Sequence, residues 1–149
     1  MKTTLLILAC IGLCIVLARF ESWHRDRKIE AAFKGRESLN PQQFYERYFE
    51  TKGVPFHIVA AVRTILEDQL SVDMSQLRDN DDFTRELRFF WAFDSMASVQ
   101  IVLALEQTFD IKIDDAESER SRTVSDIVFL VHSKIVEKSA ADSGAALKR

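Results

Sequence analysis

Cysteine is nearly absent from this chain. Only Cys10 and Cys14 occur in 149 residues, both inside an apolar leader, so no thiol remains elsewhere for a disulfide, a zinc site or a nucleophile. Glycine is scarce as well, with four residues, too few and too scattered to build a phosphate-cradling loop. The three histidines, His24, His57 and His132, stand apart, and none has a spacing that makes a metal site or a catalytic dyad. No run alternates apolar and polar residues over the length of a strand. These gaps make an enzyme the weakest reading and point to a helical protein.

Charge is unevenly shared. The formal net charge is −3, but residues 1–53 carry a balance of +3, residues 54–138 a balance of −7 and the last eleven residues +1. A basic leader on an acidic globule excludes nucleic acid as the globule's partner, because phosphates would be repelled. It suits a partner that presents a basic surface.

One long apolar run is present, TTLLILACIGLCIVLA from Thr3 to Ala18, sixteen positions without a charge. Extended through Phe20 it is at the short end of what spans a hydrocarbon core. Trp23 sits where an interfacial aromatic belongs, and His24, Arg25, Arg27 and Lys28 follow. Only Lys2 lies on the other side, so the positive-inside rule places the bulk of the chain in the cytoplasm. A cleaved secretory signal is the alternative, but Val16-Leu17-Ala18 is a poor cleavage site. Ile7-Leu8-Ala9-Cys10, read as a lipoprotein box, leaves too short an apolar region. The expectation is a retained transmembrane signal-anchor over 1–23, entering the membrane through residues 4–20, single-pass with the main domain cytoplasmic.

Residues 24–53 read as a linker followed by an aromatic helix. Asn40 can cap that helix, Pro41 suits its first turn and Gly53 can close it. Phe44, Tyr45, Tyr48 and Phe49 share one face, a pattern of core packing. The main domain is placed at 54–138. Its first helix buries Ile58, Val59, Val62, Ile65, Leu66 and Leu70 and leaves Arg63, Glu67 and Asp68 to solvent. A polar loop follows, anchored by Val72, Met74, Leu77, Phe83 and Leu87. Its acids Asp79, Asp81 and Asp82 fail as a calcium loop, since Phe83 occupies a ligand position and no glycine follows. They read as a solvated acidic loop. A central helix starts near Ser95 with Ile101, Val102, Leu105 and Phe109 on its buried face. Asp114 to Arg120 is a charged turn or brief helix. Thr123, with Asp126 three residues on, caps a last helix built on Val124, Ile127, Val128, Val131 and Ile135. The run 139–149 is small and polar, a flexible tail.

The most specific stretch is DSMASVQIVLALEQTFDIKI, residues 94–113. With RTILEDQLSVDMSQL before it and RTVSDIV after it, the region from Val54 to Val136 resembles the acyl carrier proteins. The resemblance implies an all-α, acyl-carrier-like four-helix bundle, here with an extra N-terminal helix and a transmembrane helix. It makes Ser95 the serine that receives covalent 4′-phosphopantetheine from coenzyme A, with Asp94 and Met96 flanking it in the attachment motif. It implies a phosphopantetheinyl transferase and acyl-loading and acyl-transfer enzymes as partners, and a carrier rather than an enzyme. Local chemistry agrees, since the positive end of a helix dipole favours a phosphodiester formed there. Yet Asp and Ser are also preferred N-caps, so Asp94-Ser95 can equally start a helix and nothing more.

Two departures stand out. Between Leu87 and Asp94 lies Arg88-Phe89-Phe90-Trp91-Ala92-Phe93, about four residues longer than the family's usual connection, with no glycine and four aromatics. It can cover the bundle mouth, contact one dedicated enzyme, or dock on Phe44 and Tyr48. Ala97, Gln100, Gln107 and Thr108 occupy positions that are often acidic in the family, and only Glu106 keeps its charge. Steering toward basic partners from this helix should be weaker, which suggests a specialised carrier. The alternative function is an unmodified carrier-like module that docks a membrane-associated partner through the aromatic insert.

Overall fold

A computed structural model of the chain describes residues 26–90 and 96–146, with side chains to 143 in the last helix. The candidate anchor, Asp94 and Ser95 lie outside the described residues. The chain divides into two compact units, residues 1–35 and 36–149. In the first, residues 26–33 are helical, and Gly35 follows in the left-handed region at φ 75°.

The second unit is helical, and among its described residues the only β pairing is an isolated antiparallel bridge between Asp82 and Thr123. Helix α1, Pro41–Tyr48, begins with a reciprocal box. The Gln43 N–H donates to the Asn40 side chain at 2.9 Å and the Asn40 N–H to the Gln43 side chain at 3.0 Å, satisfying two donors that a helix start leaves open. A 3₁₀ turn at Glu50–Lys52 follows, closed by Gly53 at φ 72°, a conformation that favours glycine. Helix α2 is Phe56–Leu70, α3 Ala97–Phe109, α4 Asp115–Arg120 and α5 Val124–Ala146. Asp114 and Glu117 make the box that starts α4. Thr123 and Asp126 make the one that starts α5, at 2.9 and 3.1 Å.

Helix α2 is the hub, packed against α1, α3 and α5. Its six apolar positions named from spacing are all buried, and so are the five loop anchors from Val72 to Leu87. In α3, Ile101 and Leu105 are buried while Val102 and Phe109 are half-buried. No helix among the described residues is long and apolar enough to cross a membrane.

Three expectations need correction. Arg63 is not left to solvent: it is 5% exposed, donates from Nη2 to the Leu39 carbonyl at 2.7 Å and lies over the Phe44 ring at 5.3 Å. Its aliphatic stem packs with the core while the guanidinium finds a carbonyl and a ring face. The acidic loop is not uniformly solvated, because Asp81 is 4% exposed and paired with Arg36 at 2.6 Å. Asp79 takes Lys52 at 2.8 Å. Finally, α5 runs through residues 139–146, where the sequence suggests a flexible tail. The segment is exposed as far as its side chains are described, and the hydroxyls of Ser139 and Ser143 donate to carbonyls one turn back.

Surface ion pairs fasten α5 to its neighbours. Lys134 reaches Glu117 of α4 at 2.6 Å, and Lys138 reaches the Asp110 carboxylate at the end of α3. The hydrogen bond from each lysine holds its carboxylate below the usual range. A carboxyl whose folded pKa is depressed contributes stability above its unfolded pKa, and the contribution is lost as pH falls through the folded value. Thermal melts are therefore expected to lose stability progressively from about pH 4 downward, and less steeply in the Lys134→Gln, Lys138→Gln double variant. Identical acid limbs for the two proteins would contradict the assignment.

Candidate functional site

The first residue of α3 is Ala97, and Met96 holds the cap position with φ −94° and ψ −10°. Met96 makes no side-chain cap hydrogen bond, and Ser95, the possible cap read from the sequence, lies outside the described residues. A thirteen-residue helix begins directly after the Asp94-Ser95-Met96 stretch. The N-terminal N–H groups of a helix, together with its dipole, suit an anion. Met96 is 56% exposed, and its carbonyl accepts the Gln100 N–H at 3.0 Å.

Beside this helix start lies a mainly apolar cavity of about 260 Å³. Ser98, Ile101, Val102 and Leu105 of α3 form one wall, and Leu66 of α2 joins them. Ile127 and Leu130 of α5 and Ile113 face them, while Phe83, Thr84, Ser121 and Arg122 come from the two loops. Ser98, in the first turn of α3, belongs both to the helix start and to the cavity lining. The site therefore joins an anion-favouring helix end to an apolar chamber. A group with a phosphate at one end and an apolar chain at the other matches that donor set and that lining.

The outward face of α3 carries an apolar stripe among the exposed Gln100, Gln107 and Thr108. Met96, Val99 and Leu103, spaced i, i+3 and i+7, are 56%, 48% and 48% exposed. The acid retained on this helix, Glu106, is turned inward to accept the Ile113 N–H at 2.9 Å, with Lys112 at 3.5 Å. That backbone hydrogen bond, more than Lys112, lowers its pKa.

Of the residues singled out from sequence, Met96 is described and stands at the helix mouth; Asp94 and Ser95 lie outside the described residues. In the aromatic insert, Phe90 is buried and Phe89 half-buried, with ring centroids 4.5 Å apart. Sequence reasoning did not single out Thr84, Ser98, Ser121 or Arg122 as cavity residues. They are polar positions next to apolar anchors, and only the folding of both loops onto α3 and α5 brings them together.

Comparison with known proteins agrees with this geometry. The family model described as the phosphopantetheine attachment site matches residues 60–131. The chain is 35% identical over 78 residues to an acyl carrier protein of Thermosynechococcus vestitus, covering 52% of this chain and 91% of that protein. It is 32% identical over 73 residues to an acyl carrier protein of Chlamydia felis, covering 49% and 88%. The matched family takes covalent 4′-phosphopantetheine as its prosthetic group. The helical bundle, the helix start beside an apolar chamber and these two relatives lead to one conclusion: the chain belongs to the acyl carrier protein family.

Proposed function

We propose that this chain is a membrane-tethered, specialised acyl carrier in which Ser95 bears the prosthetic group. The observation that carries the reading is the start of α3, immediately after Asp94-Ser95-Met96, next to an apolar cavity. As a member of its family the chain is a carrier and not an enzyme. When bound, 4′-phosphopantetheine supplies an arm whose thiol holds an acyl chain as a thioester.

The chain's own residues have four tasks. The Ser95 hydroxyl receives the phosphopantetheinyl group as the pyrophosphate linkage of coenzyme A breaks and 3′,5′-ADP leaves, the serine proton being taken up within the transferase rather than by a neighbouring base of this chain. The first N–H groups of α3 favour the phosphodiester charge that results. Ile101, Leu105, Ile127 and Leu130 give the chain a dry wall, and Met96, Val99 and Leu103 offer partner enzymes an apolar contact. With Glu106 turned inward, charge steering from α3 is weak, which supports a dedicated rather than a general carrier.

The tether is residues 4–20, with the carrier domain in the cytoplasm, where coenzyme A and its transferase are at hand. Tethering raises the local concentration of the carrier near bilayer enzymes without new contacts. A reporter active only in the cytoplasm, fused after Arg149, is expected to be active; an active periplasmic or luminal reporter would refute the topology. The carrier function is tested by incubating the protein with coenzyme A and a broad-specificity phosphopantetheinyl transferase. The expected product gains the mass of one phosphopantetheinyl group on the peptide containing Ser95. No gain with any such transferase would favour the unmodified docking module instead.

A further inference from the structure

Two acids of the loop at residues 79–82, Asp79 and Asp81, find their counter-charges in the segment that precedes the carrier bundle. Arg36, at one end of that segment, puts Nη1 2.6 Å from the Asp81 carboxylate, with side-chain exposures of 14% and 4%. Lys52, at the other end, puts Nζ 2.8 Å from the Asp79 carboxylate and 3.4 Å from the Ser125 hydroxyl. Between the two clamps, the Leu39 N–H donates to the Ser75 carbonyl at 2.7 Å, and the Gln76 side chain donates to the Arg36 carbonyl at 2.8 Å.

The clamped loop is also a wall of the cavity. The Asp81 carboxylate accepts the Arg78 N–H at 2.8 Å. The Asp79 and Asp81 carbonyls accept the N–H groups of Ser125 and Val124 at 2.8 and 3.3 Å, and the Phe83 N–H donates to the Arg122 carbonyl at 2.9 Å. Phe83 and Thr84 on one side of this ladder, and Ser121 and Arg122 on the other, line the chamber. A carboxylate as buried as Asp81 cannot keep its place without a counter-ion, because the uncompensated charge is strongly unfavourable in the interior. Freed of Arg36, it would regain solvent by moving outward and would draw Phe83, two residues on, with it.

We propose that residues 36–53 are a cargo-selectivity element: Arg36 and Lys52 are positioning residues that hold the 79–84 loop against α5 and so set the size of the acyl chamber. This rests on the carrier reading above for its link to cargo. The claim about the loop wall does not depend on modification and can be read in the unmodified protein.

The experiment uses full-length protein with Arg36→Gln, Lys52→Gln and, as a control, Lys138→Gln, which breaks an ion pair away from the cavity. In unmodified protein, the Phe83 and Val124 amides are expected to exchange with deuterium about tenfold faster or more in Arg36→Gln, and unchanged in the control. Each protein is then loaded from acyl-coenzyme A analogues of increasing chain length, and cleavage by hydroxylamine is followed. Wild type should protect its thioester up to a definite length. Arg36→Gln should flatten that limit and move it to longer chains, Lys52→Gln should do so to a smaller extent, and Lys138→Gln should match wild type. If Arg36→Gln does not fold, the milder Lys52→Gln decides by the same two readouts. Unchanged exchange and an unchanged length profile would overturn the proposal, as would an equal shift in the control. Failure to load any chain would count against the carrier reading, while the exchange result would still decide the role of the clamp.

Discussion

A protein that starts at Val54 is expected not to fold, whereas one that starts at Arg36 folds cooperatively. Sequence comparison and spacing put the carrier domain at 54–138, which makes the shorter protein the natural choice for expression. The packing argues otherwise. Leu39, Phe44 and Phe49 are 3%, 1% and 0% exposed, and Phe44 and Phe49 sit in a ring cluster with centroids 5.2 to 6.3 Å apart that extends to Tyr48 and to Phe129 of α5. Losing a buried phenylalanine side chain costs roughly 3–5 kcal/mol, against a total stability of about 5–15 kcal/mol for a domain. The same truncation takes the Leu39 carbonyl from the buried Arg63 and the counter-ions from Asp79 and Asp81. Circular dichroism melts of the two truncations check this. A cooperative melt from the protein starting at Val54, at a temperature close to that of the longer one, would show that the preceding segment is an appendage.

The second large effect is chemical. Ser95→Ala is expected to abolish phosphopantetheinylation completely, while Ser98→Ala leaves it intact. Both hydroxyls lie near the start of α3, and Ser98 lines the cavity, so proximity alone does not separate them. Position on the helix does. Ala97 is the first helical residue and is fully buried, which puts Ser98 within the first turn and Ser95 before it in sequence. A hydroxyl ahead of the helix has the N-terminal N–H groups behind it to receive the phosphodiester. Each variant removes a single hydroxyl near one helix start, where losing even a cap costs about 1 kcal/mol, so neither should unfold the bundle. Intact mass after reaction with coenzyme A and transferase reads the outcome. Loss of labelling in Ser98→Ala with retention in Ser95→Ala would move the site by one helical turn.

Most of the core was legible in sequence because helices repeat their buried positions every three to four residues. The six apolar positions of α2, the capping boxes at Asn40 and Thr123 and the closing Gly53 all follow from local rules. Charge was harder to read. Asp81 and Arg36 are forty-five residues apart, and Lys52 and Asp79 twenty-seven, so no local window links them, and three aspartates in a polar loop look solvated. Arg63 looked exposed because its place on α2 is next to apolar positions, and only the docking of Leu39 and Phe44 covers it. The cavity was half visible: Leu66, Ile101, Val102, Leu105 and Ile127 follow from helix spacing, Leu130 and Ser98 were not among the positions named on their helices, and Ile113, Thr84, Ser121 and Arg122 depend on how the connecting segments meet. The departure on α3 was visible as missing acids. That Glu106, the one acid kept there, is spent on the Ile113 N–H was not.

The most direct test is intact-mass and peptide analysis of the protein purified from its own host under mild conditions. The account predicts one phosphopantetheinyl group on Ser95, part of the population carrying a further hydroxylamine-labile acyl mass. A single species at the mass of the bare polypeptide, from cells with an active transferase, would contradict it.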